Sequence, residues 1–64
     1  MSGYKEISEY FSEDKLRTAS VIKDLGTGNY IVRFKNDSGS HFSSTYHDLD
    51  TAEQYAEDWV YVKV

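Results

Sequence analysis

The stretch DLDTAEQYAEDWV, residues 48–60, sets Asp48, Asp50, Glu53, Glu57 and Asp58 close together with no basic residue among them. Carboxylates at that density can hold a cation or share general acid and base work. Calcium, however, takes about six to eight oxygens wrapped by a loop with a glycine turn. Asp48 and Asp50 run instead into Thr51-Ala52 and a helical pattern. Paired catalytic carboxylates also need a pocket that drives their pKa values apart. The expected role of these acids is therefore the solvated face of a helix.

His41 and His47 bracket a Ser/Thr-rich segment, so Ser43 or Ser44, His47 and Asp48 could be written as a nucleophilic relay. Neighbours on a strand point to opposite faces, which prevents the relay. A metal shared by His41 and His47 meets a similar objection, since an extended strand would hold them about 20 Å apart. Gly26-Thr27-Gly28 lacks the Lys-Ser/Thr ending and following helix of a phosphate cradle and reads as a turn. Asn36-Asp37-Ser38 matches the glycosylation sequon and is likewise read as a turn. No catalytic, cofactor-binding or metal-ligating set emerges.

The elements that carry these residues are marked by two glycine-containing clusters, Leu25–Asn29 and Asn36–Ser40, flanking NYIVRFKN. Within it Tyr30, Val32 and Phe34 alternate with Ile31, Arg33 and Lys35, which predicts a strand over 29–36 with an apolar and a largely cationic face. HFSSTYH predicts another over 41–47, with Phe42 and Tyr46 on one side. The β-branched run before the first turn predicts a strand over 16–24. Tyr4–Phe11 fits a helical or a strand period, and Ser12–Lys15 as a hairpin turn favours the strand.

The acidic stretch predicts the helix, over 50–60. Asp50 is the expected cap with Glu53 in the capping-box position, Leu49 a hydrophobic staple, and Ala52, Tyr55, Ala56 and Trp59 the apolar stripe. The tail 60–64, VYVKV, alternates and either adds a short strand or simply frays. The predicted fold is α+β: a single domain with an antiparallel meander of three or four strands and a C-terminal helix on one face. Arg33 and Lys35 then mark the opposite face, joined by Arg17 and Lys23 if odd positions of 16–24 point outward.

At 64 residues the chain hides only about 60% of the surface its unfolded form exposes, which argues against a deep enzyme cleft. Six Tyr, three Phe and one Trp must supply most of the packing, because cysteine is absent and disulfide or thiolate staples with it. A net charge of −4 favours a cationic partner over a phosphate backbone and disfavours nucleic acid. No apolar run reaches membrane-spanning length and the start MSGYKEISEY lacks a secretory pattern, so the expected location is cytoplasmic.

The segments EYFSEDKLRTASVIKDL, NYIVRFKND, HFSSTYHDLDT and AEQYAEDWV, in that order, resemble small proteins encoded by tailed bacteriophages of marine cyanobacteria. In these a meander ends in an alanine- and acid-rich helix closing like Ala56-Glu57-Asp58-Trp59-Val60. The resemblance implies an accessory protein that binds a host or virion component, and it brings no catalytic residues.

The leading expectation is a small non-enzymatic, cofactor-free binding protein that modulates a host or phage protein. The expected contact surface is Asp48, Asp50, Glu53, Gln54, Glu57 and Asp58. Two alternatives stand beside it. One is self-association through unpaired outer strands, as in a virion-assembly component. The other is weak nucleic-acid binding through Arg17, Lys23, Arg33 and Lys35.

Overall fold

A computed structural model of the chain describes residues 3–13 and 15–61. Its elements are β1 (Tyr4–Phe11), β2 (Thr18–Asp24), β3 (Tyr30–Lys35), β4 (His41–Tyr46) and α1 (Leu49–Val60). The strands form one antiparallel sheet in the order β1-β2-β3-β4, with α1 laid on a single face. This is the α+β meander expected, with the first segment a strand. Of the tail, Val60 ends the helix and Tyr61 caps it, and the choice between a strand and a frayed end for the rest lies outside the described residues.

Hydrogen bonds among the described residues close the three connections between strands. Ser12 N–H donates to Arg17 O at 2.9 Å, and its buried hydroxyl accepts from Arg17 N–H at 3.0 Å, so β2 starts at Thr18 rather than at 16. In the second turn the Asp24 carboxylate accepts from Gly26 N–H at 2.9 Å, and Gly28 takes a left-handed φ of +80°. In the third, the Asn36 amide oxygen accepts from Ser38 N–H, Ser38 Oγ and Ser40 N–H at 2.8–3.1 Å. The sequon asparagine is thus an Asx-type loop cap.

The core lies between sheet and helix: Ala19 and Val21 of β2, Val32 and Phe34 of β3, and Ala52, Ala56 and Val60 of α1 are buried. Burying a valine side chain contributes about 1.5–3 kcal/mol before chain entropy is charged. Around it pack Tyr10, Tyr30, Tyr46, Leu49 and Trp59. Trp59 lies edge-on to Phe34 and Phe42 at centroid distances of 5.5 and 5.0 Å, an arrangement that suits the ring quadrupoles. Tyr55, expected in the apolar stripe, is 53% exposed and instead stacks on Tyr46 at 4.9 Å.

The helix begins earlier than its acid spacing predicts. Asp48, not Asp50, is the N-cap: its backbone is extended and its carboxylate accepts from Thr51 N–H at 3.0 Å and Thr51 Oγ1 at 2.7 Å. Leu49 becomes a helical residue that packs on the core. Glu53 leaves the capping-box role and accepts from Ser8 Oγ of β1 at 3.0 Å. Asp48→Ala should therefore lower the melting temperature by roughly 5 °C, with Asp50→Ala much milder. Equal losses in a thermal scan would return the cap to Asp50.

Candidate functional site

Strand parity sorts the charged residues. Antiparallel partners share a face, so the buried Ala19, Val21, Val32 and Phe34 fix the helix side of every strand. Odd positions of β2 therefore point toward α1, against the conditional expectation for Arg17 and Lys23. Arg17 lies at the C-terminal end of α1, its guanidinium 5.6 Å from the Trp59 ring centroid and 3.5 Å from Trp59 O. It supplies a cation where the helix dipole is negative. Lys23 sits over the Tyr30 ring at 5.6 Å. Both leave the basic face, and Arg33 and Lys35 remain on it, exposed.

The face left uncovered by α1 is built from successive rungs. Glu6, Ile22, Ile31 and Thr45 form one, Glu9, Ser20, Arg33 and Ser43 the next, and Phe11, Thr18, Lys35 and His41 the third. A register shift between Glu6 and Ser8 turns Glu6 to this side. Across β2 lies an open depression of about 220 Å³, lined by Glu6, Thr18, Ser20, Ile22, Arg33, Phe34, Lys35 and His41. Short Thr18 and Ser20 side chains make its floor. Glu6 stands on one side and Arg33, Lys35 and His41 on the other.

Such a surface can receive a polypeptide segment. The guanidinium of Arg33 offers a planar fork to a carboxylate, Lys35 adds a mobile cation, and Ile22 takes an apolar side chain. Glu6 and Glu9 balance the two cations, which weakens any attraction for a polyanion. Phe11, 51% exposed at the end of the third rung, adds aromatic area. Sequence reasoning missed Glu6, Thr18, Ser20, Ile22 and His41 as members of this surface. The adjacent Val21 and Ile22 give both parities of β2 an apolar residue, so periodicity alone does not choose between them.

The acidic helix surface is smaller than expected. Asp48 is occupied as the cap, and its bonds from Thr51 hold its carboxyl below the ordinary aspartate range. Glu53 is half-buried against β1. Asp50, Gln54, Glu57 and Asp58 remain exposed. His47 Nδ1 lies 3.2 Å from Asn29 Oδ1, so the residues of the hypothetical serine relay are turned to separate tasks. Among the described residues no three His, Asp or Glu side chains converge on a point where a metal could sit. No helix there is long and apolar enough to cross a membrane.

Beside the Ser8–Glu53 bond, burial and then the Glu53 carboxylate push the Tyr10 hydroxyl above the ordinary tyrosine value. Since the folded pKa exceeds the unfolded one, the neutral ring's contribution to stability is complete below about pH 10 and fades as pH rises through the folded value. A ring-resolved NMR titration should show Tyr10 ionising above the ordinary tyrosine value, and Glu53→Gln should bring it down. If Tyr10 titrates at the ordinary tyrosine value in both proteins, the assigned contact with Glu53 is absent. Comparison of the chain with protein-family models, curated proteins and solved structures finds no match.

Proposed function

We propose that the chain is a small non-enzymatic binding protein that contacts another protein through the uncovered face of its sheet. The observation that carries this reading is the depression over β2, where Arg33, Lys35 and His41 face Glu6 across a Thr18–Ser20–Ile22 floor. Cations, a carboxylate and apolar carbon within one shallow surface suit an extended segment of mixed character with at least one acidic side chain. The bacteriophage resemblance supports a host or virion component as the partner.

This reading moves the contact surface from the acidic helix side to the sheet. The two helix-side acids withdrawn into structural bonds, Asp48 and Glu53, leave the helix with less free charge than the residue count suggests. It also ranks protein above nucleic acid as partner. Two of the four cations that a nucleic-acid surface would use, Arg17 and Lys23, lie on the helix side against aromatic rings.

A pull-down from host lysate tests the proposal with wild type, the sheet variant Arg33→Glu/Lys35→Glu and the helix variant Glu57→Lys/Asp58→Lys. The sheet variant should lose a specific partner by tenfold or more, corresponding to about 1.4 kcal/mol or more, while the helix variant keeps it. A partner retained by the sheet variant and lost by the helix variant would place the contact on α1 instead.

A further inference from the structure

We propose that β4 is a self-pairing edge, through which two copies of the chain join their 4-stranded sheets into one continuous sheet. The two edges of the sheet differ. β1 carries Lys5, Glu6 and Glu9 and the register shift before Ser8, features that discourage pairing. β4, with the sequence HFSSTY, has no Asp, Glu, Lys, Arg or Pro, and its pairing with β3 runs without a shift. Among the described residues nothing guards this edge.

The hydrogen-bond pattern determines which groups face out. Asn36 N–H donates to Ser40 O at 3.1 Å, closing the β3–β4 hairpin. Ladder alternation from that bond turns the backbone N–H and C=O of Phe42, Ser44 and Tyr46 toward β3. Those of His41, Ser43 and Thr45 turn outward, where among the described residues no backbone group meets them. These outward groups are arranged symmetrically about Ser43. A second β4, related by a twofold axis normal to the sheet and passing between the two Ser43 residues, pairs Ser43 with its counterpart and His41 with Thr45.

That register also suits the side chains. On the helix side Phe42, 46% exposed, meets Ser44 of the other copy, a large residue beside a small one. Nearby Tyr55, 53% exposed, gives the contact a further aromatic margin. Each copy carries a net −4, and an edge without charged side chains lets two such chains meet with the least like-charge opposition. An acidic or basic peptide finds no complementary charge in HFSSTY. A second copy is the occupant this edge matches best. Both α1 helices then lie on one side of the joined sheet and both depressions on the other. The pairing is independent of what the open face binds.

Sedimentation equilibrium of the full chain from about 10 μM to about 1 mM tests it, because a small edge contact falls in that affinity range. Wild type should move toward twice the monomer mass. Ser43→Lys, which brings two cations together on the axis, should stay monomeric with an unchanged melting profile at low concentration. Ser43→Pro, which removes an outward donor, provides a second variant, and Glu9→Lys on β1 should associate as wild type does. Amide exchange at His41, Ser43 and Thr45 should slow about tenfold where nine-tenths of the chains are paired. A wild type that stays monomeric throughout, or a Ser43→Lys variant that pairs as well as wild type, overturns the proposal.

Discussion

The fold rests on the contact of Ala52 and Ala56 with the β2–β3 centre of the sheet, where Val21 and Val32 are fully buried. Alanine at both helix positions lets α1 settle close to the strands. The larger rings then occupy the periphery: Trp59 with Phe34 and Phe42 toward one end, Tyr55 on Tyr46 at the β4 side. Because the described residues form one helix and one sheet, this seat also decides which face stays open. The principal-axis extents are 39 × 22 × 15 Å, the thickness of one sheet with one helix on it.

Charge follows from the same seat. Once Ala19 and Val21 point at the helix, Arg17 and Lys23 must share their side, and each finds an aromatic ring there. Thr18, Ser20 and Ile22 are left to form the floor of the open face beneath Arg33 and Lys35. Glu53 faces β1 and accepts from Ser8, and burial followed by the Glu53 charge holds the Tyr10 hydroxyl above the ordinary tyrosine value. Several residues that look functional by type are thus fastening devices. The residues available for contact include small, unremarkable ones.

Much of this was legible in the sequence. The alternation Tyr30–Lys35 identifies β3 and its two faces, and the clusters around Gly28 and Gly39 mark turns in which both glycines have positive φ. Elsewhere two local signals competed. Asp48 and Asp50 each have a suitable residue three positions on, Thr51 and Glu53, and the earlier cap prevails because it brings Leu49 onto the core. Tyr55 has the helical spacing of a core residue, but the narrow sheet ends beneath it at β4. The parity of β2 depends on partners across the sheet, which no single strand's pattern contains. The depression over β2 depended on that parity and so was hidden.

The fold depends on an asymmetry: Ala52 and Ala56 are fully buried against the packed side of the sheet, while the side over β2 opens into a depression of about 220 Å³. Paired denaturation of Ala56→Leu and Ser20→Leu tests it most directly. Added carbon at Ala56 should remove about 1–3 kcal/mol of stability. At Ser20 it should fill open space and change stability by no more than about 0.5 kcal/mol. A Ser20→Leu protein that loses as much as Ala56→Leu would contradict the claim.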